Sequence, residues 1–357
     1  MNNSTSKHLT AMMWPYASPQ HSVVAFHLSH GKTTFIHSGP AVSDAPCADW
    51  LFEIASITKV FTALLLCVLV EEGKIDPKAP EREMSEALKD VPEWITPERL
   101  TSHASGLPNY VTPLWKAVLR QDSAGPYAQF SRSDLLAWFH ERANKLTPPS
   151  HRHVYSNLGV GLLGEAMAMQ EGQPFAELLA EKVTGPMGLQ DTTQYLNEGQ
   201  KNRFAQPRSP NGKPVPAWHF QSLAGAGCLR SSARDLACFA KVVLRALNHQ
   251  QTTSETALDR AICRSVVPIL GLGRKGAMTP MAQCSGWFRV HVDRTAPDFL
   301  WHNGGTAGSC CALHICPERN AAFGILSNNG VAGNLWASTK LNWSKPMQKA
   351  HRLFAEM

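Results

Sequence analysis

The chain has 357 residues, which is long enough to bury one large hydrophobic core or two smaller ones. Apolar residues make up 43% of it and charged residues 17%, a balance that excludes a disordered chain and is typical of a globular protein. The net charge of +6 is mild and is spread along the chain without a block of Lys and Arg, so no nucleic-acid partner is predicted.

The N-terminal segment carries no obvious targeting signal. Residues 1–22 lack the continuous apolar run of a signal peptide, and the longest apolar stretch, 60–70, is too short to span a bilayer. The nine cysteines include no Cys-x-x-Cys pair that would indicate a zinc site, and the lack of an export signal favours reduced thiols. We therefore expect a cytoplasmic protein without membrane association. The sequence does not indicate the oligomeric state.

Two strands are predicted near the N-terminus, at residues 22–28 and 33–38, on either side of a short turn. The segment before them, 1–21, is too short and irregular to predict a full helix. An apolar helix follows from about Ser56 to Glu72, and Gly73 provides its C-terminal stop.

The rest of the chain contains a helical block followed by mixed elements. Helices are predicted at residues 131–145, 156–172, 173–188, 232–247 and 346–357, and strands at 286–292, 309–315 and 321–328. Strands therefore lie toward both ends of the chain. This order predicts an α/β (α+β) fold in which residues 1–75 and 213–357 form one α/β domain, with an inserted all-helical domain of residues 76–212.

The first candidate for chemistry is a Ser-x-x-Lys motif made by Ser56 and Lys59. Serine is a weak nucleophile unless a base takes its proton, and a lysine three residues later lies on the same helix face. Withdrawal from water at a helix N-terminus is expected to lower the lysine pKa and favour the neutral amine. The same spacing occurs at residues 4–7 and 29–32, in a polar tail and a hairpin turn. Only the motif at Ser56 opens an apolar helix.

A second candidate is the Tyr-x-Asn motif of Tyr155 and Asn157, which opens a predicted helix. A tyrosine can relay a proton, and an asparagine can orient both a lysine and a substrate. The alternative is that Asn157 is a helix N-cap with no catalytic part. A second Tyr-x-Asn, formed by Tyr195 and Asn197, lies in a loop.

A third candidate is the glycine-rich run that begins at His302 and includes Gly304 and Gly305. It stands just before a predicted strand. Glycines at a strand edge let backbone N–H groups approach an acyl oxygen, as an oxyanion hole requires. The alternative interpretation is an ordinary β-turn.

Two competing motifs are weaker. The glycines from Gly271 to Gly276 match the spacing of a dinucleotide loop, but Pro280 follows and no helix is predicted, so a mobile loop is the better interpretation. His151 and His153 have no carboxylate or cysteine partner at ligand spacing, which favours a solvated loop. We therefore predict no cofactor and no metal.

Together, the three candidates resemble the serine β-lactamase and penicillin-binding protein superfamily, in its class C and D-stereospecific peptidase/esterase branch. The resemblance covers roughly residues 22–330. It is carried by FEIASITKVFTALLL (52–66), LTSHASGLP (100–108), YSNLGVGLLG (155–164), GAGCLRSSARDL (225–236) and WHNGGTAG (301–308). It implies an antiparallel sheet flanked by helices, with the helical domain inserted.

The resemblance also implies a role for each residue of the first two motifs. Ser56 would be the acylated nucleophile and Lys59 its general base. Tyr155 would share proton transfer to the leaving group. Asn157 would support Lys59 and contact the substrate amide or carbonyl.

In the third motif, the backbone N–H groups of Ser56 and Gly305, beside Gly304, would form the oxyanion hole. His302 would occupy the position of the lysine in the Lys-Thr-Gly motif of β-lactamases. A histidine is largely neutral at pH 7 and offers a substrate carboxylate a weaker, switchable contact, so efficient β-lactam hydrolysis is not expected.

The sequence thus predicts a serine hydrolase of esters or small amides that forms an acyl-enzyme on Ser56, acts on a small-molecule substrate and uses no cofactor. An acyltransferase of the same fold acting in a biosynthetic pathway is one alternative, and a β-lactamase is another. The remaining alternative, from a different class, is a catalytically silent binding protein.

Overall fold

A computed structural model describes residues 3–13, 16–111, 124–149, 152–248, 256–273, 281–291, 297–332 and 344–357. Its strands are β1 (Val23–Ser29), β2 (Lys32–Ser38), β3 (Leu51–Glu53), β4 (Arg230–Ser232), β5 (Leu270–Gly273), β6 (Met281–Gln283), β7 (Phe288–Val290), β8 (Phe299–Gly305), β9 (Cys310–Cys316) and β10 (Ala321–Ser327). Eight of them form one antiparallel sheet in the order β2-β1-β10-β9-β8-β7-β6-β5. Strands β3 and β4 pair separately.

The described helices are α1 (Asn3–Met13), α2 (Thr58–Glu71), α3 (Pro97–Thr101), α4 (Arg132–Arg142), α5 (Asn157–Glu171), α6 (Phe175–Leu179), α7 (Glu198–Lys201), α8 (Ala233–Asn248), α9 (Ala257–Ser265) and α10 (Ser344–Ala355). None of these described helices is both long enough and apolar enough to cross a membrane. The predicted α/β fold, with an antiparallel sheet flanked by helices, is confirmed.

The inner strands of the sheet are buried on both faces, and this explains why they are mostly apolar. In β1, Val24 and Phe26 pack into a core cluster that includes residues of α2, α5 and α8. The alternate residues Val23 and Ala25 pack into a second cluster with residues of α1 and α10. Because successive side chains of a strand point to opposite faces, the sheet separates the two clusters. Helix α2 therefore lies on the face of the sheet opposite the two terminal helices.

Two predictions about local structure were wrong. Residues 3–13 form a helix, which the sequence pattern does not predict. Leu9, Met12 and Met13 recur in it at helical spacing and are buried in the second cluster. Gly271 and Gly273 lie in β5 rather than in the predicted mobile loop, while residues 274–276 of that loop lie outside the described residues. Strands β1 and β2 and helix α5 follow their predicted ranges within one or two residues.

The polypeptide between the sheet-forming ends, 76–212, contributes helices α3 to α7 and several short turns. One of these turns, Glu81–Met84, buries an ionisable group in the core. The carboxyl group of Glu81 is fully buried, and neither oxygen has a hydrogen-bond partner within the described structure. Burial raises its pKa to about 8, so the carboxyl is held in its neutral form at neutral pH.

We predict that Glu81 makes the stability of the protein fall as pH rises. The unfolded chain releases this proton near pH 4.5 and the folded chain near pH 8, so stability present at low pH is lost between these values, at up to about 1.4 kcal/mol per pH unit. Glu81→Gln keeps the shape of the neutral acid. Its midpoint urea concentration of unfolding should be higher than that of the parent at pH 8 but not at pH 4.5. The matched control is Glu83→Gln, an exposed position in the same turn, which should follow the parent. Equal pH dependence of Glu81→Gln and the parent would contradict the prediction.

Candidate active site

Ser56 stands on a strained turn that leads into α2. The turn, Ala55–Ile57, is a short 3-10 helix, and Ala55 adopts a positive φ of 43°, a conformation that non-glycine residues rarely take. The backbone around it is held by hydrogen bonds from Ile54 N to Leu229 O (3.0 Å) and from Leu229 N to Thr58 Oγ1 (3.1 Å). Strain of this kind persists only where the surroundings impose it, and it concentrates at functional sites.

Lys59 lies in the first turn of α2 and is completely buried. Its Nζ is within hydrogen-bond distance of three oxygens: Ser56 Oγ at 3.0 Å, Asn157 Oδ1 at 2.6 Å and Ala226 O at 2.6 Å. None of these partners carries a negative charge. Burial without a counter-charge lowers the Lys59 pKa to about 7, so a large fraction of the side chain is a neutral amine at neutral pH.

The three partners also orient the neutral amine. An amide oxygen and a backbone carbonyl can only accept hydrogen bonds, so Asn157 Oδ1 and Ala226 O each require an N–H from Lys59. A neutral amine has two N–H groups, and both are used by these acceptors. The lone pair is left for the third neighbour, the hydroxyl of Ser56. The geometry therefore allows the Ser56 hydroxyl to donate its proton to Lys59.

Asn157 is the first residue of α5, but it is not the helix cap. Ser156 is the N-cap, because its Oγ accepts the Gly159 N–H at 2.8 Å. The Asn157 side chain is instead turned toward Lys59, and its backbone N–H donates to Asn109 Oδ1 at 3.2 Å. The interpretation of Asn157 as the helix N-cap is therefore wrong.

Tyr155 lies beside the Ser56–Lys59 pair. Its ring centroid is 5.1 Å from Lys59 Nζ, and its hydroxyl is close enough to Ser56 for that side chain to affect the Tyr155 pKa. Burial raises the Tyr155 pKa above its ordinary value, so the phenol keeps its proton at neutral pH. The second Tyr-x-Asn motif is elsewhere: Tyr195 is 64% exposed, and Asn197 caps the short helix α7.

His103, which the sequence analysis did not single out, supports the Tyr155 segment. Its Nδ1 accepts the Ser156 N–H at 3.2 Å, and its backbone oxygen accepts the Val154 N–H at 2.8 Å. The imidazole also packs against the Tyr155 ring with centroids 4.4 Å apart. Burial and the nearby Lys59 lower the His103 pKa well below its usual range, which keeps Nδ1 available as an acceptor. The only sequence signal was its place in the loop LTSHASGLP.

The glycine-rich run forms the end of β8, so the β-turn interpretation is wrong. A Cβ atom at Gly304 would lie 2.4 Å from Ile54 O and 2.9 Å from Ser56 N. The strand thus passes directly against the backbone of the turn Ala55–Ile57, hereafter the nucleophile turn after the role proposed below for Ser56. Only glycine permits such a close approach. Gly305 is the last residue of the strand, next to this contact, and pairs with Cys310 of β9.

His302 lies on the same strand two residues before Gly304 and is 1% exposed. Its Nδ1 is 2.7 Å from the backbone oxygen of Asn303. Burial and the positive charge of Lys59 lower the His302 pKa to about 3. The expectation of a switchable contact at this position is therefore wrong, because the imidazole stays neutral throughout the physiological pH range.

A buried carboxylate, also missed from the sequence, fixes the end of β8 relative to the nucleophile turn. Glu53 Oε2 accepts the hydroxyl of Thr306 at 2.7 Å, and Glu53 Oε1 accepts the Trp218 N–H at 2.6 Å. Burial raises the Glu53 pKa, an effect opposed by these hydrogen bonds. Glu53 ends β3 three residues before Ser56, so it ties the chain on both sides of the site together.

No grouping of three or more His, Cys, Asp or Glu side chains among the described residues has a geometry suited to a metal ion. The His153 ring packs edge-to-face against His103, with ring centroids 5.6 Å apart, and its Nε2 lies 3.1 Å from Gln283 Oε1. The other histidine of this loop, His151, lies outside the described residues.

An antiparallel sheet, with a partly exposed Ser56 beside a buried Lys59 at the mouth of a central helix, is the arrangement of a serine hydrolase of the β-lactamase type. The comparisons with known proteins agree with it. The family model described as Beta-lactamase matches residues 20–338. This chain belongs to the β-lactamase family.

Individual relatives are distant in sequence, and a solved structure shares the fold. The D-alanyl-D-alanine-carboxypeptidase/endopeptidase AmpH of Escherichia coli is 23% identical over 315 residues, which cover 84% of this chain and 76% of AmpH. An unguisins hydrolase of Aspergillus campestris is 26% identical over 82% of this chain and 55% of its own length. A class C β-lactamase structure from Rhodobacter sphaeroides superposes with a TM-score of 0.73 at 19% identity, covering 96% of this chain and 98% of that one.

We predict that Gly304→Ala lowers the rate of turnover by roughly 10²-fold, although it leaves Ser56, Lys59 and Tyr155 unchanged. The added methyl group would collide with Ile54 O and Ser56 N and push β8 away from the nucleophile turn. A displacement of about 1 Å at a reacting centre lowers the rate by roughly 10²-fold. Steady-state hydrolysis of an activated ester measures this effect.

Gly271→Ala is the matched control, because it lies in the same sheet with no atom within 4 Å of the added Cβ. It should retain the parent rate. Parent-like activity of Gly304→Ala would show that the close contact between β8 and the nucleophile turn is not required.

Proposed function

We propose that this protein is a serine hydrolase that forms an acyl-enzyme on Ser56 and hydrolyses an ester or a small amide. The observation that carries the proposal is the environment of Lys59. Its three oxygen neighbours and complete burial favour a neutral amine whose lone pair meets the Ser56 hydroxyl. A buried lysine with such a pKa is a suitable general base near neutral pH.

In the proposed acylation step, Ser56 Oγ attacks the substrate carbonyl carbon while its proton passes to Lys59 Nζ. The carbonyl oxygen becomes an oxyanion, which we place between the backbone N–H groups of Ser56 and Gly305. Tyr155 then transfers a proton to the leaving alcohol or amine and recovers one from Lys59. Collapse of the tetrahedral intermediate breaks the bond to the leaving group and leaves an ester on Ser56.

Deacylation follows the same path with water as the nucleophile. Water gives its proton to the base, adds to the ester carbonyl and releases the acid, and Ser56 regains its proton. In an acyltransferase, an alcohol or amine would take the place of water. Both reactions share the same first step, so the chemistry of Ser56 does not depend on which acceptor follows.

The substrate is proposed to be a small ester or peptide-like amide rather than a β-lactam. AmpH and the unguisins hydrolase are both named for hydrolysis, the former of a D-alanyl-D-alanine peptide. The lysine that β-lactamases use in the third motif is replaced here by His302. That side chain is buried and neutral, so it provides no cation for the carboxylate of a β-lactam.

We predict that a fluorophosphonate labels Ser56 and that p-nitrophenyl acetate is hydrolysed with Ser56 as the nucleophile. Ser56→Ala should lose the label and lower kcat/KM by at least about 10³-fold, because removal of a catalytic serine has effects of this size or larger. Intact mass and peptide mapping locate the label, and release of p-nitrophenol measures the rate.

Ser29→Ala is the matched control, since Ser29 opens another Ser-x-x-Lys spacing in the hairpin between β1 and β2. It should behave as the parent. A parent protein that is neither labelled nor faster than Ser56→Ala would refute the enzyme proposal and favour a silent binding protein. Adding methanol or an amine acceptor and analysing the products separates hydrolysis from acyl transfer.

A further inference from the structure

The hydrogen bond of His302 fixes which ring nitrogen carries the proton. The backbone oxygen of Asn303, 2.7 Å from His302 Nδ1, can only accept a hydrogen bond. In the neutral ring, Nδ1 must therefore hold the proton, and Nε2 is left with a bare lone pair. Burial and the positive charge of Lys59 oppose a second proton, because they lower the His302 pKa to about 3.

That lone pair is buried and has no partner. His302 is 1% exposed, and Nε2 makes no hydrogen bond within the described structure. A buried polar atom without a partner carries a free-energy penalty of about 1–3 kcal/mol, and most such atoms in proteins are satisfied. His302 Nε2 is thus an acceptor that a donor from outside the chain could satisfy.

The position of His302 places this acceptor on the reacting side of β8. Side chains two residues apart in a strand point to the same face, so His302 shares its face with Gly304. A Cβ atom at Gly304 would lie 2.9 Å from Ser56 N, so this face of β8 is the one that contacts the turn of Ser56. His302 therefore lies about 7 Å along the strand from the contact with the nucleophile. It also lies close enough to Lys59 and His103 for their charges to affect one another.

We propose that His302 determines specificity by accepting, at Nε2, a hydrogen bond from an N–H or O–H group of the substrate. This inference rests on the proposed function and specifies its substrate class. The preferred acyl groups carry a hydrogen-bond donor, such as an amide N–H, a hydroxyl or an ammonium, at about one strand repeat from the scissile carbonyl. A carboxylate at the same point would place its oxygens against the lone pair and be rejected.

Three p-nitrophenyl esters of adipic acid test the inference, because they differ only at the far end of the acyl chain. One ends in a primary amide, which donates; one ends in a methyl ester, which is neutral and cannot donate; and one ends in a free carboxylate. For the parent protein we expect kcat/KM to be about tenfold higher for the amide than for the methyl ester, equivalent to one hydrogen bond of about 1.4 kcal/mol. The carboxylate should be the poorest substrate.

Substitution of the acceptor should change this order. His302→Lys replaces the lone pair by an ammonium and should favour the carboxylate over the amide. His302→Leu should remove the preference for the amide over the methyl ester. His140→Lys is the matched control for added charge, because His140 lies on α4 with its side chain 78% exposed, and it should keep the parent order.

The tautomer can be measured without turnover. Nitrogen-15 NMR of histidine-labelled protein, with the His302 signals assigned by their loss in His302→Gln, should show the ring proton on Nδ1 and no titration from pH 5 to 9. A proton on Nε2, or titration near pH 6.5, would overturn the inference. This measurement and the substrate order of the parent protein both stand even if a His302 variant does not fold.

The outcomes also separate the two proposals. If Ser56-dependent hydrolysis occurs but the amide is not preferred, or the carboxylate is best, His302 does not select for a donor and the hydrolase proposal survives. Equal rates for the amide and the methyl ester would indicate that Nε2 binds only a water molecule, and would also overturn the inference. If none of the three esters is hydrolysed in a Ser56-dependent way, the proposed function fails and the inference fails with it.

Discussion

The burial of one lysine without a counter-ion is the constraint on which the site depends. A buried ammonium is destabilised unless it is paired, and Lys59 has only neutral oxygens around it. Release of its proton relieves that penalty, so the same packing that encloses α2 also favours the neutral amine. Two of the three neighbours can only accept hydrogen bonds. Because they use both N–H groups of the neutral amine, its lone pair is directed toward Ser56. In the proposed mechanism, the activation of Ser56 is thus a consequence of core packing.

The remaining parts of the site are held around this pair by contacts between distant segments. Asn157 reaches Lys59 from the start of α5, and His103 holds the preceding Tyr155 by hydrogen bonds to its neighbouring backbone. On the other side, Gly304 brings β8 against the turn of Ser56, and Glu53 ties the residue after that strand to the chain before the nucleophile. In this arrangement, reactive groups stand on rigid elements whose positions are set by buried hydrogen bonds.

Local pattern was sufficient to predict the motifs, the direction of the Lys59 pKa shift, and six of the ten described helices and five of the ten described strands, because these depend on neighbours in sequence. Local pattern did not predict the features that depend on contacts between residues distant in sequence. Helix α1 has a polar sequence and is stabilised by burying a few apolar residues against α10 and the sheet. Glu53 and His103 act through partners 253 and 53 residues away, which no spacing reveals. The neutral tautomer of His302 likewise follows from its burial and the geometry of one backbone carbonyl.

Direct titration of the Lys59 amine tests the central claim. Carbon-13 labelling at lysine Cε allows each side chain to be followed by NMR as pH is raised, with the Lys59 signal assigned by its loss in Lys59→Arg and the exposed lysines as an internal reference. The account predicts that Lys59 titrates with a pKa of about 7 in the folded protein. An ammonium that persists above pH 9 would show that Lys59 is not a neutral base, and would contradict the proposed activation of Ser56.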